Sequence, residues 1–133
     1  MINKEILKLA SNTVNVGLKN KYSHKVTLKN TMCGDKITLE IIINGKKINS
    51  MRYETQSCVY CEASASLLSK KIINYKLEDI KNDFVVLKKK FKKKEIKIPK
   101  KFSSFKRLLT RDNFNRFKCI FLPFDAVIKA LKL

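Results

Sequence analysis

The chain has 133 residues, 44% of them hydrophobic, and a formal charge of +19. A chain of this length folds as one domain and buries roughly two-thirds of its unfolded surface, so folding needs neither disulfides nor metal. The apolar fraction excludes a disordered chain, and no apolar run approaches the length of a membrane span.

The charge favours acidic partners, whether protein or nucleic acid. Lys, Asn and Ile are abundant throughout, so an A/T-rich genome filling solvated positions with Lys is the plainer source of it. The first residues lack the apolar stretch of a secretory signal, which points to a cytoplasmic, thiol-reducing setting. Four cysteines in such a setting suggest metal or thiol chemistry rather than disulfides.

In chain order, residues 2–10 place Ile2, Ile6, Leu7 and Leu9 at roughly helical spacing and predict a short amphipathic helix. Residues 12–20, with Gly17, read as loop. Residues 24–28 and 36–41 alternate polar and apolar, with Ile37, Leu39 and Ile41 on one face. Asn44-Gly45 marks a hairpin, and the return strand runs over 47–54 with Met51 and Tyr53 on one face. These segments predict a three-stranded antiparallel meander whose apolar face needs cover.

The remainder reads as helical. Residues 61–73 carry Leu68, Ile72 and Ile73 at helical spacing, with Glu62 in the first turn and Lys70 and Lys71 in the last. Residues 77–93 place Ile80, Phe84, Leu87 and Phe91 on one stripe. Nine Lys and one Glu crowd residues 88–101, and Pro99 closes that segment. Residues 103–109 suggest a short helix with a Ser cap. In 117–131 a helical face carries Phe121, Phe124, Val127, Ile128 and Leu131. Pro123 interrupts it, which sets the expected helix start there. The fold class is therefore α+β, a three-stranded antiparallel sheet with helices packed on one face. The expected organisation is one domain over 1–133, with helix and loop 1–22, sheet 23–57 and helical part 58–133.

The cysteines fall at element ends, where function concentrates. Cys33 lies between the first two strands, Cys58 and Cys61 between the third strand and a helix, and Cys119 ahead of the last helix. Thiolates suit iron–sulfur clusters and zinc, and a helix N-terminus favours the thiolate form, which would help Cys58 and Cys61. One C-x-x-C with two singletons is not a zinc ribbon, and a thioredoxin reading lacks its βαβ context. Free cysteines also pack as small apolar groups, which suits Cys119 beside Ile120 and Phe121. Spacing alone thus leaves a metal site, a thiol site and plain packing open. His24 is a surface residue on a strand, Asp35 and Glu40 read as a solvated pair, and no Gly-rich phosphate loop is present.

Four segments, taken in order, resemble the NifU N-terminal, IscU and SufU family. Asn15-Val16-Gly17 is similar to its Asn-x-Gly segment. Cys33-Gly34-Asp35-Lys36-Ile37-Thr38-Leu39 is similar to Cys-Gly-Asp-x-(Ile/Val)-x-Leu. Cys58-Val59-Tyr60-Cys61-Glu62-Ala63-Ser64-Ala65-Ser66 resembles Cys-Ala-Ile-Ser-x-Ala-Ser-x-Ser. Arg116-Phe117-Lys118-Cys119-Ile120-Phe121-Leu122-Pro123-Phe124 resembles Arg-x-Lys-Cys-x-x-Leu-Pro-Trp.

The resemblance implies a SufE/NifU-like fold and a scaffold rather than an enzyme. A transient cluster, [2Fe-2S] in type, would be held by Cys33, Asp35, Cys58 and Cys119. Sulfur would come from a cysteine desulfurase, with Cys119 as a persulfide acceptor, and the cluster would pass to recipient apoproteins. A carboxylate is a harder, weaker cluster ligand than a thiolate, so the mixed set suits a protein that must release its cargo.

Lys118 stands where the IscU branch has His, as in the SufU branch. Residues 112–118 depart from the IscU branch's chaperone motif. Cys61 replaces a family Ser and is a further candidate ligand, a thiol that resolves a persulfide, or a packing residue. The SufU likeness also admits zinc on the same residues, for sulfur transfer from the desulfurase. A basic nucleic-acid module built on 88–101 is a separate reading. Phe91 is its one interleaved aromatic, so no stacking platform is indicated.

Overall fold

In a computed structural model, which describes residues 4–31, 34–94 and 98–133, the elements follow the expected order. They are α1 (Lys4–Ala10), β1 (His24–Asn30), β2 (Asp35–Asn44), β3 (Lys47–Gln56), α2 (Val59–Lys71), α3 (Leu77–Lys92) and α4 (Phe117–Ala130). Two 3-10 helices, Lys100–Phe105 and Arg111–Arg116, lie between α3 and α4. Ile2 and Cys33 lie outside the described residues.

The sheet is the expected antiparallel meander, in the order β1-β2-β3. Strand alternation sends Ile37, Leu39 and Ile41 into the core, each fully buried. Asn44 pairs with Lys47 around a two-residue turn. Gly45 takes φ +65° at the first turn position, where a type II′ hairpin requires glycine. Ile42 pairs with Ser50 and Ile43 with Ile48, so Asn49 is an extra residue on β3. This bulge lets Ile48 and Met51, three residues apart, both face inward.

Helices cover the apolar face. α4 packs on β1, β2 and α2, while α2 packs on β3, α1 and α4. Because α2 is surrounded, nine of its residues are buried, and Ala63, Ser64, Ala65 and Ser66 let its neighbours approach closely. Phe124 meets the rings of Phe84, Phe102, Phe105 and Phe121 at centroid distances of 4.9, 6.3, 5.3 and 5.0 Å. Ile80, Phe84, Leu87 and Phe91 of α3 are buried, as their stripe predicts.

Several expectations are corrected. α2 starts at Val59, earlier than residue 61, with Cys58 as its N-cap; Ile73 lies beyond the helix and is 38% exposed. The short helix at 103–109 is instead the 3-10 turn Lys100–Phe105, which starts after Pro99 and has no Ser cap. α4 runs unbroken through Pro123, six residues ahead of the expected start. Proline has no N–H to give the Cys119 carbonyl and costs about 3 kcal/mol in a helix interior. Burial of Cys119, Ile120, Phe121 and Leu122 ahead of it offsets that cost.

Glu40 is also corrected. It is 1% exposed rather than solvated. Its carboxylate accepts the backbone N–H of Lys19 at 2.7 Å and of Asn20 at 3.0 Å, with Lys25 Nζ 3.7 Å away. It thereby fastens the loop before β1 to the outer face of the sheet. Glu40→Ala should cost about 2–4 kcal/mol, because two amides and Lys25 lose a buried anion. Urea unfolding at neutral pH should show the lowered midpoint; a loss below about 0.5 kcal/mol would show that water replaces the carboxylate.

Asn15-Val16-Gly17 runs beside the free edge of β3. Tyr53 N–H donates to the Asn15 carbonyl at 3.2 Å, and Gly17 N–H donates to the Tyr53 carbonyl at 2.8 Å. Arg52 donates to the carbonyls of Gly17 and Val16 at 3.0 and 2.7 Å. Gly17 has φ +101°, which explains glycine there.

Candidate metal centre

Three elements deliver one donor each to the same end of the sheet. Asn30 pairs with Asp35 across β1 and β2, and Lys36 pairs with Gln56 across β2 and β3. Asp35, at the start of β2, therefore lies level with the end of β3, two residues before Cys58. In the connection from β1, Gly34 has φ +74° and donates its N–H to the Asn30 carbonyl at 2.8 Å. Among the described residues nothing lies within 4 Å of a Cβ built on Gly34, and the backbone angle calls for glycine.

Asp35 is 4% exposed, a correction to the solvated reading. Its Oδ1 accepts the Cys58 backbone N–H at 3.1 Å, and the Cys58 thiol lies 3.6 Å from Oδ2. The carboxylate thus positions the residue that begins α2. Cys119 does not precede α4 but lies in its first turn, 2% exposed. The Ser64 hydroxyl donates to the Ile120 carbonyl at 2.6 Å and ties the two cysteine-bearing helices together. The Arg116 guanidinium stands 5.1 Å from the Tyr60 ring centroid, a second link between the same two helix starts. Small residues in the Ala63–Ser66 stretch are the sequence signal for this close approach; the hydrogen bond itself had none.

One carboxylate oxygen of Asp35 and the sulfurs of Cys58 and Cys119 all lie within 4.8 Å of one another. This is a hard–soft donor set for a thiophilic metal. Both helix starts favour negative charge where two of the donors sit. Cys33 immediately precedes Gly34 in the chain and lies outside the described residues.

Cys61 does not join this group among the described residues. It is fully buried, and burial first, with the charges of Asp35 and Cys58 adding to it, pushes its thiol up to about 12. Burial thus works against the thiolate that the helix N-terminus was expected to favour. His24 begins β1, half-buried, with Nδ1 3.1 Å from the Ser23 hydroxyl. In the Lys-rich segment, Lys88 pairs with Asp125 at 2.7 Å and Lys101 with Asp83 at 2.9 Å. Lys92 and Lys94 lie 5.1 and 4.6 Å from the ring centroids of Phe117 and Phe114. These lysines are engaged within the chain. No helix among the described residues is long and apolar enough to cross a membrane.

Comparison with known proteins gives the family. The family described as NifU-like N terminal domain matches residues 1–102, and the chain belongs to that family. A curated relative, the iron–sulfur cluster assembly scaffold protein IscU of Thermotoga maritima, is 38% identical over 52 residues. That match spans 39% of this chain and 37% of the relative's length.

Two crystal structures share the fold. A nitrogen-fixing NifU-like protein (N-terminal) from Brucella abortus aligns with TM-score 0.85 at 22% identity, over 98% of this chain and 91% of its own. A candidate iron–sulfur cluster assembly scaffold for the SUF system, from Fervidobacterium islandicum AW-1, aligns with TM-score 0.85 at 20% identity, over 98% and 96%.

Proposed function

We propose that this chain is an iron–sulfur cluster assembly scaffold, a carrier rather than an enzyme, folded as one domain over residues 1–133. The observation that carries the reading is the convergence of Asp35, Cys58 and Cys119 within 4.8 Å in a chain of the NifU-like N-terminal family. Cys33, next to Gly34, completes the ligand set as the third thiolate. Iron and sulfide are the cargo, assembled as a [2Fe-2S] cluster. Sulfur arrives from a cysteine desulfurase, with Cys119 as an acceptor, and recipient apoproteins take the product. A cytoplasmic, reducing compartment keeps the ligands as thiols.

The three soft positions bind iron through sulfur, and Asp35 supplies one oxygen that gives way more readily than a fourth thiolate would. The relative's name is that of a scaffold, which supports this reading over a shortened stretch of chain.

A second reading rests on the compactness of the donors. Three atoms within 4.8 Å of one another suit a single tetrahedral ion as well as a cluster edge. Zinc on the same residues would make the protein a sulfurtransfer partner of the desulfurase. Purification without oxygen, followed by metal and sulfide analysis, separates the two. Brown protein with iron and acid-labile sulfide, passed on to an apo-ferredoxin, supports the scaffold. Colourless protein holding one zinc supports the alternative, and protein that takes up neither metal would sink both.

A further inference from the structure

Cys61 is the thiol that the candidate metal centre does not use. Cys58 is the N-cap of α2 and Cys61 is its third residue. Those two positions face each other at a helix start, as the reciprocal hydrogen bonds of a capping box demonstrate. Residues three apart on a helix bring their Cβ atoms to about 5–6 Å, so modest closure reaches the geometry of a disulfide. Cys58 makes no side-chain cap hydrogen bond to the helix end, and its thiol instead donates to Asp35 Oδ2 at 3.6 Å. Cys58 is half-buried, whereas Cys61 is fully buried behind it. An incoming sulfur donor therefore reaches Cys58, and Cys61 is left to attack from within.

We propose that Cys58 and Cys61 form a dithiol that reduces sulfane sulfur to sulfide inside the site. The inference rests on the scaffold reading for its source of sulfur, and adds Cys58 to Cys119 as an acceptor of persulfide sulfur from a protein or small-molecule donor. Cys61 Sγ attacks Cys58 Sγ, and a Cys58–Cys61 bond forms. The bond from Cys58 Sγ to the outer sulfur breaks, and that sulfur leaves with the electron pair and the Cys61 proton as hydrogen sulfide. The two electrons that reduce the sulfane sulfur come from the dithiol, which becomes a disulfide.

Sulfide is thereby released beside Asp35 and Cys119, where iron would need it. The disulfide withholds Cys58 from metal until an external dithiol reductant reopens it. Sulfide release must therefore precede the use of Cys58 as a ligand.

Burial disfavours the Cys61 thiolate. Intramolecular placement supplies an effective concentration on the order of 10⁵ M or more, which compensates. Cys119 is the competing nucleophile, since its sulfur lies within 4.8 Å of Cys58 Sγ. It sits on another helix, so the two candidates can be tested apart.

The test uses the full chain, reduced, metal-free and under a chelator, treated anaerobically with glutathione persulfide. Released sulfide is assayed by colour, and cysteine states are mapped by mass spectrometry. The wild type should release about one sulfide per chain and acquire a Cys58–Cys61 disulfide. Cys61→Ser, with Cys61→Ala as a second variant, should keep the added sulfur on Cys58 and release sulfide at least about tenfold more slowly. In Cys119→Ser, which lacks the competing nucleophile, the Cys58–Cys61 disulfide should still form. Release from both Cys61 variants at the wild-type rate, or a disulfide joining Cys58 to Cys119, overturns the proposal. Reconstitution of the wild type from iron and inorganic sulfide needs no persulfide. It tests the scaffold reading alone, so the two failures are distinguishable.

Discussion

Cys119→Ser should abolish retention of iron and sulfide after anaerobic reconstitution while leaving the fold intact. Losing an outer partner of a metal ligand already costs roughly 10–100-fold in affinity, and losing a thiolate donor costs at least that. A serine hydroxyl is a poor ligand for a thiophilic metal. The candidate site draws on three elements, and Cys119 is the residue of α4 in it.

Cys58→Ser should lose the cargo equally and serves as a check on folding. Serine is a preferred N-cap, so that variant gains a cap for α2 where the wild type has no side-chain cap bond. Its thermal midpoint should equal or exceed the wild type's. Asp35→Cys, with a fourth thiolate in place of the carboxylate, should give up its cluster to a chelator more slowly. Wild-type iron content in Cys119→Ser would remove α4 from the site.

The largest effect on stability should come from Phe124→Ala. Phe124 is 1% exposed and meets four other phenylalanine rings, so truncation leaves a cavity at the centre of the aromatic cluster. Such changes cost about 3–5 kcal/mol, a large share of the roughly 5–15 kcal/mol that holds a domain folded. A fall of roughly 10–20 °C in the thermal midpoint follows for a chain of this size. Phe124→Leu refills part of the volume and should cost markedly less.

Calorimetry and denaturant unfolding of the metal-free protein would measure both variants. A cost below about 1 kcal/mol for Phe124→Ala would mean that the cluster collapses to fill the space. The two series separate the roles of α4. On the proposed reading its first turn serves the cargo with little effect on the fold, and its middle holds the fold.

The sheet was legible because its signals are local. Period-two alternation in 36–41 and the Asn44-Gly45 turn each arise from neighbours in the chain, and both recur in β2 and the hairpin. The bulge at Asn49 was not legible. It depends on which residues of β3 the helices cover, and the sequence pattern does not carry that information.

The stripe on α3 could be read because one face of that helix meets solvent. The periodicity of α2 misled, placing Ile73 on the buried face, because a helix packed on nearly every side has no polar face to mark its phase. Glu40 and Asp35 read as solvated for a related reason. Their partners are backbone amides of Lys19, Asn20 and Cys58, which are far away in sequence.

For the candidate site, the donor types and their order could be read along the chain, as could the family resemblance that joins Cys33, Asp35, Cys58 and Cys119. The sequence did not determine that α4 runs through Pro123, because an intrinsic cost of about 3 kcal/mol is outweighed only by burial against the sheet. That tertiary gain puts Cys119 in the first turn of a helix, with its sulfur within 4.8 Å of Cys58. Tertiary structure also set the cysteines apart by position. Cys58 and Cys119 converge with Asp35, while Cys61, equally promising by spacing, is buried behind them because α2 is enclosed by its neighbours.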